Sequence, residues 1–295
     1  MGHIYYAEDI KKDVEAGLLP AIYEGNYYDP EINKAYLSFH TWQDFHGSLG
    51  VPACEAKAVA KLYEGWEEKK DNKAFLIGSY VDAALVGEEG ELEKFREENP
   101  DIFTKKGELK ADFKMAEAMI ERCRKDELFM KYLSGEKQAI FVFYLEGVPC
   151  KCKLDSYIPG KAIVDLKTTR EMHKTFRVDD YGKADFVTYY NYVGQLAFYQ
   201  EGVRIVTGEK LPTFINAVSK SADYPEIKII YVDNYALFDE LTVIKQSLRT
   251  PLVDVWKNKV APVKCGRADC HYCIETEKLT DTVNYRDLIA EGGEF

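Results

Sequence analysis

The sequence predicts a mixed α/β (α+β) fold, and three observations carry that expectation. From Gln138 to Lys167 the chain turns abruptly β-branched and aromatic, in runs parted by the turn pairs Glu146-Gly147 and Pro159-Gly160. Such spacing signals antiparallel strands joined by short hairpins. On both sides of this block, apolar residues recur at helical intervals. No Pro-, Gly- or Ser-rich linker divides the chain, so residues 1–295 read as one domain. Within it lie an N-terminal helical region over about 1–135, a core over about 136–257 and a cysteine cluster at 265–273.

Taken in order, the first fifty residues are rich in tyrosine, with a turn-like stretch Asn26-Tyr27-Tyr28-Asp29-Pro30. Tyr5, Tyr6, Tyr27 and Tyr28 have the chemistry to stack unpaired bases. Packing of a terminal segment on the core is the ordinary use of such residues, and it is the expectation here. Pro52 can open a helix from Ala53 to Glu68, with Ala56, Val59, Ala60 and Tyr63 on its apolar face. A second helix starts near Ala74 and carries Gly78, Val81, Asp82 and Leu85. Glu88 to Lys131 reads as two charged amphipathic helices parted near Asn99-Pro100, their charges forming a solvated face. Strands follow at Gln138–Leu145, Val148–Ile158 and Lys161–Lys167, then a helix at Phe186–Glu201. Strands at Thr213–Ser219 and Ile227–Val232 and a helix from Tyr235 to Lys257 close the pattern. Lys220, after the fourth strand, is placed either to approach a phosphate or to sit in solvent.

Composition narrows the classes. Hydrophobic residues make up 46% of the chain and charged residues 30%, enough apolar content for a packed core rather than a disordered chain. The longest apolar run, Ala139 to Leu145, falls far short of the roughly 20 residues that cross a bilayer. No basic segment followed by an apolar stretch opens the chain, and seven cysteines are an odd number for a disulfide framework. A cytoplasmic protein without membrane contact is therefore expected. Fifty acidic against 39 basic residues leave a net charge of −11, which argues against coating nucleic acid by general phosphate neutralisation.

The most informative stretch is Lys153-Leu154-Asp155, a turn, and Ile163-Val164-Asp165-Leu166-Lys167. Strand side chains alternate between faces, so Asp165 and Lys167 share one face while Ala162, Val164 and Leu166 enter the core from the other. The Pro-Gly hairpin can bring Asp155 beside them. Two carboxylates next to a lysine suit Mg²⁺ or Mn²⁺, hard ions that take oxygen ligands and keep waters for substrate and nucleophile. The competing reading is a surface ion pair on a strand. Asp82, in Ile77-Gly78-Ser79-Tyr80-Val81-Asp82, offers a third oxygen from a preceding helix. Gln195 and Tyr199, four apart, share a helix face downstream.

In this order the residues resemble the RecB-like branch of the PD-(D/E)XK nucleases, over about residues 36–279. Asp155, Asp165, Lys167, Gln195 and Tyr199 match that pattern, whereas Asp82 stands where most relatives have His. The likeness is greatest to phage and prophage exonucleases related to exodeoxyribonuclease VIII (RecE). It implies a restriction-endonuclease-like core, a central mixed sheet flanked by helices. It implies further that Asp82, Asp155, Asp165 and the Leu166 carbonyl hold Mg²⁺ or Mn²⁺, that Lys167 serves the attacking water, and that Gln195 and Tyr199 place the DNA strand. The expected activity is 5′ to 3′ exonucleolytic hydrolysis of linear double-stranded DNA in phage or prophage recombination. A single-strand annealing protein is the implied partner, and a homo-oligomer the implied assembly. The alternative is a non-catalytic nucleic-acid-binding or scaffold protein that keeps the fold, with Asp82 as its support.

Near the C-terminus, Cys265, Cys270 and Cys273 lie within nine residues, a metal-ligand density. A four-coordinate site needs one more ligand, for which Cys54 is the remote candidate and His271 the local one. Cys123, Cys150 and Cys152 read as small core residues. One upstream cysteine and three downstream resemble the iron–sulfur nucleases of the AddB type, which implies a [4Fe–4S] cluster stapling the chain ends, with Zn²⁺ as the alternative. The spacing C-x4-C-x2-C departs from the common C-x2-C-x5-C of those relatives.

Overall fold

The computed structural model describes residues 3–50, 52–68, 73–178, 181–282, 284 and 286. The chain opens with strand β1 (Ile4–Tyr6), and helices α1 (Glu8–Glu15), α2 (Pro30–Ala35), α3 (Phe39–His46) and α4 (Glu55–Val59) follow. The helix expected to run to Glu68 is shorter: α4 passes into a π-turn at Ala60–Glu64, and Gly65 ends it in the left-handed conformation that glycine tolerates. Next come α5 (Lys73–Leu85), α6 (Glu91–Glu98), α7 (Ala111–Arg124) and α8 (Glu127–Tyr132). The charged segment thus holds three α-helices where two are expected. The extra break falls at Asp126, whose carboxylate accepts the Phe129 N–H at 2.9 Å and starts a new helix.

The strand block is β2 (Glu136–Leu145), β3 (Val148–Ile158) and β4 (Ala162–Thr169), followed by a small hairpin of β5 (Phe176–Val178) and β6 (Gly182–Ala184). Glu146 and Gly147 have φ of 51° and 76°, the paired left-handed residues that a tight two-residue hairpin needs. Helices α9 (Phe186–Tyr189) and α10 (Tyr192–Thr207) occupy the single helix expected there. They part at Asn191, which is left-handed and caps α10 by accepting the Gly194 N–H. Strands β7 (Thr213–Ser219) and β8 (Ile227–Val232) match their expected bounds. The closing helix divides into α11 (Asn234–Ser247) and α12 (Leu252–Trp256), because Pro251 lacks the N–H needed to continue α11. A short α13 (His271–Glu275) lies in the cysteine segment.

Six strands form one sheet in the order β1-β2-β3-β4-β7-β8. The pairs β1–β2 and β4–β7 are parallel and the others antiparallel, so the sheet is mixed, as expected. Edge strand β1, which the tyrosine-rich start did not announce, pairs Ile4 with Ile140. One sheet face packs on α1, α3, α10, α11 and α12 through residues such as Ile10, Trp42, Leu196, Ile244 and Trp256. The other packs on α5, α7 and α8 through Tyr80, Ile120 and Phe129. Residues Ala139 to Phe143 of β2 are buried on both faces, all of them within the first of these cores. A Cβ at Gly202 would meet the Phe143 ring at 2.4 Å, so its absence lets α10 press onto β2. Among the described residues no helix is long and apolar enough to cross a membrane.

Candidate functional site

Strand β4 alternates as expected. Ile163 joins one core, Ala162, Val164 and Leu166 join the other, and Asp165 and Lys167 share the Ile163 face. The β3–β4 ladder runs only over Ser156↔Val164, Tyr157↔Ile163 and Ile158↔Ala162. One step further, where Asp155 would pair with Asp165, the strands part. The Asp155 carboxylate takes over from the ladder and accepts the Leu166 N–H at 2.7 Å. Because the N–H and C=O of one strand residue point to the same edge, the Leu166 carbonyl faces this gap. On the opposite side of β3, Gln138 lies across from Asp155 with a left-handed φ of 54°.

The Lys167 ammonium lies 2.6 Å from Asp165 Oδ2, a charge contact outside hydrogen-bond geometry that leaves Oδ2 buried without a hydrogen bond. Lys167 also sits 4.8 Å from the Tyr192 ring centre. Burial opposes its charge, but Asp165 and Asp155 outweigh that and hold it protonated, above its ordinary value. Burial, and then the negative charge of Asp165, push Asp155 up to about 7. Asp82 reaches the group from α5; burial and the Asp155 carboxylate raise it well above the usual carboxylate range. On α10, Gln195 donates from Nε2 to the Tyr199 hydroxyl at 2.7 Å, both side chains buried.

Asp82, Asp155, Asp165, Lys167, Gln195 and Tyr199 all line one cleft of about 970 Å³. Three carboxylates line the cleft within reach of one another's charge, and one has a buried oxygen lacking a hydrogen bond. Their chemistry suits a hard divalent cation, although among the described residues only Cys54, Cys265, Cys270 and Cys273 are already gathered at ligand spacing. The sequence reading missed other residues of the same cleft. Lys151 and Lys153 precede Asp155 at strand period two, a signal that was available in Lys151-Cys152-Lys153-Leu154-Asp155. His40 enters from α3; desolvation inside the cleft and then the Lys167 charge lower its pKa below the ordinary histidine value. No sequence pattern marks His40. Glu88, Glu89, Glu91 and Glu98, read as part of a solvated face, border the cleft. Lys220 instead donates to the Ala74 carbonyl at 3.1 Å.

The structure brings Cys54 together with Cys265, Cys270 and Cys273, all four sulfurs within 4.8 Å of one another. Cys54 and Cys265 each lie 3.7 Å from Cys273, far beyond a disulfide bond. Burial and the neighbouring thiols push Cys265 up to about 12, so its proton is held until a cation displaces it. His271, the other candidate, turns away to Glu68 at 3.4 Å. Four thiolates around one zinc at about 2.3 Å stand about 3.8 Å apart, close to the observed 3.7 Å. A four-iron cube carries its thiolates on separate irons and holds them farther apart. Two of the sulfur contacts lie near the spacing around a single tetrahedral ion, and the four thiols together form a metal-binding set. Cys123, Cys150 and Cys152 are buried in the two cores.

Residues 38–276 match the family described as a PDDEXK-like domain of unknown function (DUF3799). The chain belongs to that family. No curated protein matches it. A crystal structure of a protein from Eubacterium rectale, named "Putative exonuclease", is 42% identical, with a TM-score of 0.84, covering 92% of this chain and 98% of that one. The family match spans Asp82, the strand-borne carboxylates and the cysteines from Cys54 to Cys273.

Proposed function

We propose that this member of the PDDEXK-like family is a metal-dependent DNA exonuclease that hydrolyses phosphodiester bonds of linear duplex DNA. The carrying observation is the parting of β3 and β4 at Asp155 and Asp165, which aims two carboxylates, the Leu166 carbonyl and Lys167 into one cleft. Asp82, Asp155, Asp165 and that carbonyl would hold Mg²⁺ or Mn²⁺. When bound, the ion neutralises phosphate charge and acidifies water. Lys167, kept cationic by its two carboxylates, orients the water and stabilises charge developing on the phosphate oxygens. Gln195 and Tyr199, joined by their hydrogen bond, fix the inner wall against which the strand lies. The name of the Eubacterium rectale relative agrees with exonucleolytic action. A 5′ to 3′ direction and a role in phage or prophage recombination, beside an annealing protein, rest on the family resemblance.

The test is digestion of end-labelled linear duplex with Mg²⁺ or Mn²⁺. Wild type should release nucleotides from the ends, Asp165→Asn should be inactive and Lys167→Ala should lose about 100-fold or more. Equal activity in all three would remove these residues from the mechanism, and cutting of closed circles as fast as linear DNA would remove the exonuclease assignment. For the four cysteines we propose one structural Zn²⁺. Elemental analysis should find one zinc per chain in a colourless preparation, whereas a brown protein with several irons would restore the cluster.

A further inference from the structure

The four tyrosines suited by chemistry to stacking have separate fates. Tyr5 stacks on Phe141 with ring centres 4.7 Å apart, Tyr6 binds the Ile22 backbone and Tyr27 is buried. Tyr28 alone of the four is exposed, at 69%, and it lies on the wall of the carboxylate cleft. One face of its ring carries the Lys153 ammonium 4.5 Å from the ring centre, and Tyr27 meets it edge-on at 4.9 Å.

This arrangement is held from behind. Lys151, buried completely, donates to the Tyr27 carbonyl and, at 2.7 Å, to Asn33 Oδ1. Asn33 in turn donates from Nδ2 to the Tyr28 carbonyl at 2.9 Å. Both tyrosine carbonyls are thereby pinned to β3, so little ordering cost remains to be met on binding. Lys153 makes no ion pair or hydrogen bond among the described residues, and it stands two residues before Asp155 on the same face of β3. A further rim of the cleft is formed by Glu88, Glu89, Glu91, Lys94 and Glu98, acidic on balance although Lys94 lies 3.8 Å from Glu98. A duplex filling the cleft would press phosphates against that rim, whereas one strand can follow the tyrosine–lysine wall alone.

We propose that Tyr28 and Lys153 form a seat for one unpaired nucleotide of the scissile strand, its base on the open face of Tyr28 and its phosphate beside Lys153. The strand that reaches the carboxylates is therefore single-stranded DNA or a frayed end. The catalytic purpose of the seat rests on the nuclease reading above; its binding does not.

The test is fluorescence anisotropy with a labelled oligothymidylate of about 12 nucleotides and a blunt duplex of equal length, both without Mg²⁺ or Mn²⁺ so that nothing is hydrolysed and the cysteine centre keeps its ion. Tyr28→Ala should weaken the single strand roughly ten- to a hundred-fold and Tyr28→Phe should restore it. Lys153→Gln should reduce the slope of log affinity against log salt by about 0.7. Wild type should prefer the single strand, and Tyr28→Ala should leave duplex affinity unchanged. Unaltered single-strand binding by Tyr28→Ala, equal losses on both DNAs, or failure of Tyr28→Phe to restore binding would each overturn the seat. Because neither Mg²⁺ nor Mn²⁺ is present, these readouts stand even where wild type digests nothing with either ion, an outcome that overturns the nuclease reading alone. Circular dichroism of Tyr28→Ala, whose side chain is exposed, checks that the fold is intact.

Discussion

The carboxylate cleft and the cysteine centre both gather ionisable groups from distant parts of the chain, yet they do so at opposite cost. In the cleft, Asp82, Asp155 and Asp165 repel one another within the protein, and Lys151 is buried with its ammonium donating to the Tyr27 carbonyl and Asn33 Oδ1 rather than to a carboxylate. Without a cation or substrate, that arrangement opposes folding. At the cysteine centre, four small side chains sit in a satellite core with Ala56, near Tyr272, and tie the two ends of the chain together. The contrast separates a site held strained by the sheet for chemistry from a site that holds the sheet's surroundings together.

The largest effect should come from breaking the second site. Cys54 and Cys273 are 219 residues apart, and in a chain-entropy model a cross-link over so long a loop contributes roughly 5 kcal/mol. Cys273→Ser should lose its metal and a stability of that order in urea unfolding, while molecules that remain folded keep their nuclease rate. A variant that stays metal-loaded and equally stable would deny the cysteines their stapling role.

Next in size is the reverse experiment in the cleft. Asp155→Asn preserves shape and still accepts the Leu166 N–H, but it removes a buried charge that Asp165 repels. Nuclease activity should fall about 1,000-fold, a loss of about 4 kcal/mol in transition-state stabilisation, while the metal-free protein unfolds at an equal or higher temperature. A parallel fall in thermal stability would erase the distinction between the two sites.

The two sites also differ in how legible they are in the sequence. Asp155, Asp165 and Lys167 could be read because strand alternation and a Pro-Gly turn are local rules, and β3 and β4 obey them at those residues. The parting of the two strands could not, since it depends on the Asp155 side chain replacing a ladder bond. His40, Tyr28 and the glutamates of α6 arrive from segments remote in sequence, positioned by helix packing that no local period encodes. Among the cysteines, the local triplet was visible as a density. The preference for Cys54 over His271 as fourth ligand follows from how α4 and α13 meet. The helix break at Asn99-Pro100 was legible, the one at Pro251 went unread although its proline stands in plain sight, and the one at Asp126 was hidden because an ordinary side chain turns cap.

The smallest predicted effect tests whether the cleft wall itself is strained. Burial, reinforced by the charge of Lys153, lowers Lys151 to about 7 from its ordinary value near 10.5. Between those two values the unfolded chain binds a proton at this residue that the folded chain does not, so stability rises with pH across the interval, by up to about 1.4 kcal/mol per unit. Below about 7 both states are protonated and the full penalty of the buried charge applies. From pH 7 to 8.5 the wild type should therefore gain about 1–2 kcal/mol relative to Lys151→Met. Whatever the methionine costs by releasing Tyr27 and Asn33 does not vary with pH, and the thiols titrate alike in both proteins, so the difference isolates the lysine. Urea midpoints measured for both at the two pH values decide the matter: parallel pH dependence would mean that the wall carries Lys151 without strain, and that the cost of the cleft lies in its carboxylates alone.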